Sequence, residues 1–284
     1  MNLLEETRFI MKKNNVKANK DLGQNFLIDY NVIQDIVDGA EIGKDDLVIE
    51  IGPGIGSMTQ FLIEKAKKVI CIELDKKMIK ILNERFFEYK NLELINEDIL
   101  RIDLNKIIKE EKEINKIKNV KIVANLPYYI TTPIVMKLVE NNLDIQSITI
   151  MVQKEVAERL IEYPSGKNTG AITYTIYYYC ESKKIREVDK SCFLPMPDVV
   201  SEVINLKLRK NPAVDVKDKK ILFSLIKSSF MQRRKTLINA LLNVGVFKTK
   251  DEGIRMLKLL SLKEDIRAEK LSLEDFAKLA NLFC

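Results

Sequence analysis

Short apolar runs alternate with amphipathic stretches through the first two thirds of the chain. The strands predicted from these runs are Leu47–Ile51, Val69–Glu73, Leu92–Asn96, Val120–Ala124 and Ser147–Gln153. Between them, apolar residues recur at helical spacing. The helices predicted from this spacing are Ser57–Ala66, Lys76–Phe87, Leu104–Lys109, Pro133–Asn141 and Lys154–Glu162. The alternation predicts an α/β fold with a doubly wound, mostly parallel sheet and helices on both faces.

The start of the chain and the region after residue 170 are less regular. Residues 1–13 predict a short helix, a polar and basic loop follows, and a further helix is expected near Asn31–Gly39. The stretch Ala171–Cys180 fits a helix or a strand. Lys183–Val188 and Val203–Leu208 predict a late pair of strands on either side of a proline-containing loop.

A change of pattern near residues 208–214 predicts a domain boundary. After Asn211-Pro212 the apolar spacing is helical throughout. We therefore predict a catalytic domain at residues 1–210, with an N-terminal extension at 1–28, and a small all-helical domain at 211–284. A length of 284 residues with 46% hydrophobic residues fits one large domain plus a smaller one.

Composition excludes several classes of protein. No stretch is long and apolar enough to cross a membrane, and the first residues do not resemble a secretion signal. The four cysteines form no CxxC pair, so we expect reduced thiols in a cytoplasmic protein. The absence of histidine excludes Ser-His and Cys-His catalysis and the usual histidine-bearing zinc sites. We expect no metal.

Positive charge is concentrated at the C-terminal end. The chain carries a net charge of +6, whereas the segment from Arg209 onward holds 17 basic and nine acidic residues. No acid lies between Asp218 and Asp251, where Arg233-Arg234-Lys235 forms a basic cluster that we expect on a helix. A basic surface favours a polyanionic partner, although lysine-rich solvated helices are the plainer alternative.

A glycine-rich turn follows the first predicted strand. Gly52, Gly54 and Gly56 let the backbone turn sharply and approach a ligand closely. The second strand ends at Glu73, 21 residues after Gly52, where a carboxylate can accept both hydroxyls of a ribose. Asp98 follows the third strand and is suited to an adenine amino group. A helix or turn cap is the alternative role for either acid.

The fourth strand is followed by Asn125-Leu126-Pro127-Tyr128, which a nicotinamide enzyme does not need. S-adenosylmethionine contains the same adenosine group as a nicotinamide dinucleotide. Its sulfonium makes a methyl group electrophilic without a metal. The Asn125 side chain and the Leu126 carbonyl can accept the two N–H groups of an exocyclic amine. Pro127 stiffens the turn, and Tyr128 offers a stacking face worth about 1–3 kcal/mol. An ordinary strand–turn–helix connection with a buried tyrosine is the alternative.

These motifs together resemble the bacterial small-subunit rRNA adenine dimethyltransferases, the kasugamycin-resistance methylase family. The matching segments are QNFL (24–27), EIGPGIGSMT (50–59), IELD (72–75), EDIL (97–100), NLPYYITTP (125–133), MVQKEVAERL (151–160), FLPMPDVVS (193–201) and QRRKTL (232–237). They are collinear and span nearly the whole chain. We see no departure from the family at a motif position.

The resemblance implies a set of functional residues. The contacts that it gives for the methyl donor are Asn25, Leu27, Gly52, Glu73, Asp98 and Asn125, and the motif neighbours that complete the predicted donor site are Gln24, Gly54, Leu74 and Ile99. It also implies that Asn125, Leu126 and Tyr128 hold a flipped adenine, with Phe193 on the other face of that base. Pro127, which stiffens the turn, completes the predicted catalytic group. From the charge pattern we expect Arg233, Arg234 and Lys235 to bind RNA.

The resemblance further implies an S-adenosylmethionine-dependent enzyme that dimethylates two adjacent adenosines in the 3′-terminal hairpin of 16S rRNA and releases S-adenosylhomocysteine. Its partner would be the small ribosomal subunit, late in assembly, and we expect a monomer. Two alternatives remain. One is the macrolide-resistance type, which acts on large-subunit rRNA and tends to carry NIPY and a Gly-Lys-Gly turn. The other is a non-catalytic ribosome-assembly factor, and an NAD oxidoreductase is a distant further candidate.

Overall fold

The computed structural model describes residues 2–19, 22–232 and 234–284, and in it the chain divides into two compact units. The first unit is Met1–Ala157 with Lys183–Leu208, and the second is Glu158–Ser182 with Arg209–Cys284. The boundary expected near residue 210 lies close to the junction at Arg209. The sequence pattern assigns residues 158–182 to the first domain, whereas the structure groups them with the second unit.

Nine strands are present in the described part of the chain. They are β1 (Phe26–Leu27), β2 (Asp46–Ile51), β3 (Lys68–Glu73), β4 (Leu92–Asn96), β5 (Asn119–Asn125), β6 (Ser147–Gln153), β7 (Cys180–Val188), β8 (Phe193–Leu194) and β9 (Ser201–Leu208). Seven of them form one sheet in the order β4-β3-β2-β5-β6-β9-β7. The pairs among β2 to β6 are parallel, and β9 is antiparallel to β6. The predicted mostly parallel sheet is confirmed.

The order of the strands reverses at β2. The chain proceeds from β2 through β3 to β4 on one side, and β5 and β6 lie on the other side. Since parallel crossovers are almost always right-handed, this reversal puts the connecting helices on both faces of the sheet. The helices of this region are α1 (Leu3–Lys13), α2 (Tyr30–Gly39), α3 (Thr59–Lys65), α4 (Lys76–Phe86), α5 (Leu104–Asn115), α6 (Thr131–Glu140) and α7 (Lys154–Ile161).

The first unit is held together by apolar residues from the parallel strands and the helices packed on them. Strands β2 and β3 read almost as continuous apolar runs, and Val48, Val69 and Cys71 are fully buried. Helix α4 buries one face through Met78 and Leu82. Its opposite face is charged, which is the pattern of a helix that covers a sheet.

The second unit is helical. Its helices are α8 (Ala171–Tyr179), α9 (Lys219–Phe230), α10 (Leu237–Asn243), α11 (Lys250–Leu259) and α12 (Leu273–Asn281). The ambiguous stretch at Ala171–Cys180 is therefore a helix. Tyr174 of α8 is fully buried, and its hydroxyl donates a hydrogen bond to the carbonyl of Leu271 at 2.7 Å. Its ring packs edge-on against Phe276 at 5.1 Å. These contacts explain why the segment around α8 belongs to the second unit.

Arg234 and Lys235 of the basic cluster do not lie on a helix, so the expectation of a helix at these two residues is wrong. Helix α9 ends at Phe230 and α10 begins at Leu237, which places Arg234 and Lys235 in the connection between them. The physical reason is a new helix start, since Thr236 caps α10 by accepting a hydrogen bond from the Asn239 N–H. Arg233 lies outside the described residues. Among the described helices, none is both long enough and apolar enough to traverse a bilayer.

Candidate active site

A cleft opens at the carboxyl ends of the parallel strands, beside the reversal at β2. Ligands of open α/β sheets bind at this position. The predicted site residues that line it are Gln24, Asn25, Leu27, Gly52, Gly54, Glu73, Leu74, Asp98, Ile99, Asn125, Leu126, Pro127 and Tyr128. The fold thus brings together residues that lie more than a hundred positions apart in the sequence. Phe193 is not among the described residues that line the cleft.

The glycine turn has the conformation that its residues predict. Gly52 and Gly54 have φ angles of +67° and +59°, in the left-handed region that side chains disfavour. A Cβ at Gly54 would lie 3.2 Å from the Phe26 ring, whereas a Cβ at Gly52 would meet no atom within 4 Å. The backbone at Gly52 is therefore open toward the cleft, and a ligand can approach it closely.

Glu73 ties the glycine turn to the end of β3. Its side chain is 7% exposed, and its two carboxylate oxygens accept hydrogen bonds from the Gly54 N–H at 3.1 Å and the Asp75 N–H at 2.8 Å. Burial raises the pKa of this carboxyl, and the backbone donors oppose that rise. Glu73 is not the cap of helix α4. That role belongs to Asp75, which accepts from the Lys77 N–H at 2.9 Å.

Glu50 is a buried acid that the sequence reasoning did not assign to the site. It lies on β2, lines the cleft and is fully buried. Its Oε2 accepts hydrogen bonds from the Thr59 hydroxyl at 2.6 Å and the Cys71 thiol at 3.3 Å, but its Oε1 has no partner within the described residues. Burial raises the pKa of Glu50 to about 7. The signal in the sequence was an ionisable residue inside an otherwise apolar strand.

Asp98 serves partly as a turn cap. Its Oδ1 accepts a hydrogen bond from the Leu100 N–H at 2.8 Å, and its Oδ2 lies 3.8 Å from Nε of Arg101. The capping alternative is therefore realised, while the same half-buried side chain also lines the cleft. The side chain of Gln24 is also held in place, because its Nε2 donates a hydrogen bond to the Asp75 carboxylate at 3.1 Å.

The Asn125 side chain has a defined orientation. Asn125 ends β5 beside β6, and its Nδ2 donates a hydrogen bond to the carbonyl of Asn25 at 3.1 Å. With the amide nitrogen engaged in this way, the amide oxygen is the group available as an acceptor in the cleft. The Leu126 N–H donates to the Met151 carbonyl at 3.1 Å, which anchors the turn to the neighbouring strand.

Pro127 and Tyr128 continue this turn. Pro127 has a φ of −59°, and its carbonyl accepts from the Thr131 hydroxyl at 3.0 Å. The Tyr128 hydroxyl lies 2.7 Å from the Ser201 hydroxyl, and burial raises the pKa of this phenol. Phe193 is 3% exposed and pairs with Leu27 in the short β1–β8 ribbon. The described residues hold no group of three or more potential metal ligands.

Comparisons of the sequence point to one family. Residues 15–284 match the family model described as ribosomal RNA adenine dimethylase. The ribosomal RNA small subunit methyltransferase A of Clostridium acetobutylicum is 47% identical over 275 residues, which are 97% of this chain and 97% of that protein. The protein of the same name from Alkaliphilus metalliredigens is 45% identical over 275 residues, or 96% of this chain and 94% of the other.

Comparisons of the fold agree with those of the sequence. The crystal structure of a dimethyladenosine transferase from Plasmodium falciparum has a TM-score of 0.75 and 26% identity, and the match covers 89% of this chain and 95% of that one. The 23S rRNA methyltransferase ErmE has a TM-score of 0.68 and 23% identity, with 90% and 98% covered. The latter likeness is evidence of a shared fold alone.

Proposed function

Because the chain belongs to the ribosomal RNA adenine dimethylase family, we propose that it dimethylates the 6-amino groups of two adjacent adenosines in the 3′-terminal hairpin of small-subunit rRNA. The family match extends over residues 15–284, so the resemblance found in the motifs is confirmed, and the chain is an rRNA adenine methyltransferase. Small-subunit specificity is supported by relatives of that name at 45–47% identity over nearly the whole length.

The observation that carries the proposal is the orientation of Asn125 beside the cleft. Its amide oxygen can accept one N–H of an adenine amine, and the Leu126 carbonyl can accept the other. These two acceptors favour a pyramidal nitrogen whose lone pair is no longer delocalised into the ring. The amine is then oriented toward the donor site, and such orientation contributes to the rate chiefly in the transition state.

The cleft fits S-adenosylmethionine as the methyl donor. The backbone is open at Gly52, and the unpartnered Oε1 of Glu50 is suited to a cationic group such as the amino end of the methionine tail. Glu73 would accept the ribose hydroxyls, and Asp98 the adenine amino group. When bound, this donor supplies an electrophilic methyl group, and that chemistry needs no nucleophilic side chain from the protein.

The target adenine would stack on Tyr128. The hydrogen bond between the hydroxyls of Tyr128 and Ser201 holds the ring, so this wall of the base-binding slot is already ordered. The family resemblance gives Phe193 as the other wall. Since Phe193 is buried in the β1–β8 ribbon, we propose that this ribbon shifts when the base enters. An adenine can reach such a slot only after leaving its helical stack.

The C-terminal segment would supply sequence-independent affinity for the RNA. It carries the excess of basic residues, and Arg234 and Lys235 are exposed in the connection between α9 and α10. Together with Arg233 they would neutralise phosphates. We further propose that the protein acts as a monomer in the cytoplasm, on small subunits late in assembly.

Two measurements test this function. Calorimetric titration should detect S-adenosylmethionine binding to the purified protein, which an assembly factor without catalytic activity would not need. Incubation with the labelled donor should methylate small subunits purified from a strain that lacks the modification. Large subunits from a strain lacking the macrolide-resistance methylation are the matched control. Methylation of the large subunit alone would instead favour the macrolide-resistance type of activity.

A further inference from the structure

Tyr129 is an exposed aromatic residue at the mouth of the cleft. It directly follows Tyr128 in the short turn Tyr128–Ile130 and lines the same cleft. Its side chain is 61% exposed, whereas Tyr128 is half-buried. None of the ring–ring contacts among the described residues involves Tyr129. The proposed chemistry of methyl transfer does not use this ring.

The local structure holds the Tyr129 ring close to the loop that precedes β1. A Cβ built on Gly23 would lie 3.4 Å from Cδ1 and from Cε1 of the tyrosine ring, so the ring approaches this glycine closely. Gly23 has a φ of +62°, which other residues adopt at a cost. The turn itself is fixed by the hydrogen bond from the Ile130 N–H to the Pro127 carbonyl at 3.2 Å. The Tyr129 ring therefore lies beside the loop at Gly23 and presents much of its surface to solvent.

We propose that Tyr129 is a second stacking platform, which binds the base of the nucleotide adjacent to the flipped adenosine. The inference rests on the proposed function, because it requires a polynucleotide substrate. Removal of one base from its stack leaves its neighbour without a partner on that side. Exposed aromatic rings stack on such bases with useful affinity. Since Tyr128 and Tyr129 are consecutive, two consecutive nucleotides would be held by two consecutive residues.

This arrangement makes Tyr129 a specificity-determining residue. A purine offers a larger stacking face than a pyrimidine, so an adenosine beside the target should be preferred to a uridine. Two adjacent adenosines could then exchange roles between the Tyr128 slot and the Tyr129 platform, which suits an enzyme that modifies both. Because the ring and not the hydroxyl would be required, phenylalanine should replace Tyr129 with little loss.

The test compares Tyr129→Leu, Tyr129→Phe and the control Phe87→Leu. Leucine fills the space beside Gly23 without a ring, and Phe87 is a 78% exposed aromatic that does not line the cleft. The substrates are unmethylated small subunits with both adenosines, and subunits in which uridine replaces one of them. For each protein on each substrate, kcat/KM is measured for methylation of the adenosine that both kinds of subunit contain.

We expect Tyr129→Leu to lower kcat/KM on the normal subunit by roughly 5- to 150-fold, the range typical of one stacked base. Tyr129→Phe should lose less than about twofold, and Phe87→Leu nothing. On the uridine-substituted subunit, kcat/KM of the wild-type protein should be lower than on the normal subunit, and Tyr129→Leu should lower it little further. The affinity for S-adenosylmethionine should not change in any variant.

Three results would overturn the inference. The first is a kcat/KM of Tyr129→Leu equal to that of the wild type. The second is an equal loss of kcat/KM in Tyr129→Leu whether adenosine or uridine is the neighbour. The third is a loss of S-adenosylmethionine affinity in Tyr129→Leu that accounts for the whole effect. If the wild-type protein methylates neither kind of subunit, the proposed function fails, and the inference fails with it.

Discussion

Replacement of Glu73 tests the donor side of the site. In Glu73→Ala the carboxylate that accepts the Gly54 and Asp75 N–H groups is lost, together with its proposed contact to the ribose hydroxyls. A hydrogen bond to a charged group contributes roughly 1.5–3 kcal/mol, so the loss of the ribose contact should weaken S-adenosylmethionine binding by about 10- to 150-fold. Loosening of the glycine turn would add to this loss.

Two further variants make the Glu73 measurement specific. Glu73→Gln keeps the size of the side chain but retains a single oxygen, which cannot accept from both backbone donors and the ribose. Its affinity for the donor should therefore lie between those of the wild type and Glu73→Ala. Glu93→Ala is the matched control, since Glu93 lies on the neighbouring strand β4 and forms a surface ion pair with Lys68. Its donor affinity should equal that of the wild type.

The assay is calorimetric titration with S-adenosylmethionine, accompanied by a thermal melt to verify that each variant is folded. An unchanged dissociation constant in a folded Glu73→Ala protein would refute the assignment of this carboxylate to the ribose. An equal loss in Glu93→Ala would show instead that the effect is indirect and comes from the sheet.

Asn125→Ala should keep most of the donor affinity but slow single-turnover methylation by roughly 100-fold, because orientation of the amine is lost; a near-normal rate would contradict this role. Tyr128→Phe keeps the stacking ring and should cost less than about tenfold in kcat/KM, whereas Tyr128→Ala should cost more. Burial raises the pKa of Glu50 from its ordinary value of 4.5 to about 7, so this burial opposes folding increasingly as the pH rises between these values. The free energy of unfolding of Glu50→Gln minus that of the wild type should therefore rise by on the order of 3 kcal/mol between pH 4.5 and pH 8. Urea titrations that show no such rise would be inconsistent with this burial. The double substitution Arg234→Ala plus Lys235→Ala should weaken subunit binding, lower the log–log salt slope by up to about 2 and leave donor binding intact; an unchanged slope in filter binding would show a merely solvated loop.

The parallel sheet could be predicted from the sequence because buried strands in such sheets are nearly continuous apolar runs. Strands β2 and β6 begin and end within a residue of the predicted bounds. The ends of β3 and β5 also identified the cleft, since Glu73 and Asn125 occupy positions that the topology brings together. These features depend on local pattern and on a general rule of sheet architecture.

Features that depend on tertiary contacts could not be predicted in this way. Helix α8 is rich in β-branched and aromatic residues, and its helical state is stabilised by the packing of Tyr174 in the second unit. The same packing moves residues 158–182 out of the first unit. Arg234 and Lys235 were expected on a helix because their apolar neighbours keep helical spacing, but a new helix start at Thr236 interrupts it.

Within the site, the residue types could be predicted, but their partners could not. The hydrogen bond from the Asn125 side chain to the Asn25 carbonyl links positions a hundred residues apart, and no local pattern encodes it. The burial of Phe193 follows from pairing of the two-residue strands β1 and β8, which are too short to show a periodicity. Glu50 could have been found, because an acid inside a buried strand requires a partner.

The most direct test of methylation at the adenine 6-amino group is a time course of nucleoside mass spectrometry. Unmethylated small subunits are incubated with the purified protein and S-adenosylmethionine, and their rRNA is digested at intervals. We predict that N6-monomethyladenosine rises and then falls as N6,N6-dimethyladenosine accumulates to two per subunit. Methyl groups on another atom of the base, on the ribose, or on no nucleoside of the small subunit would contradict the proposed chemistry.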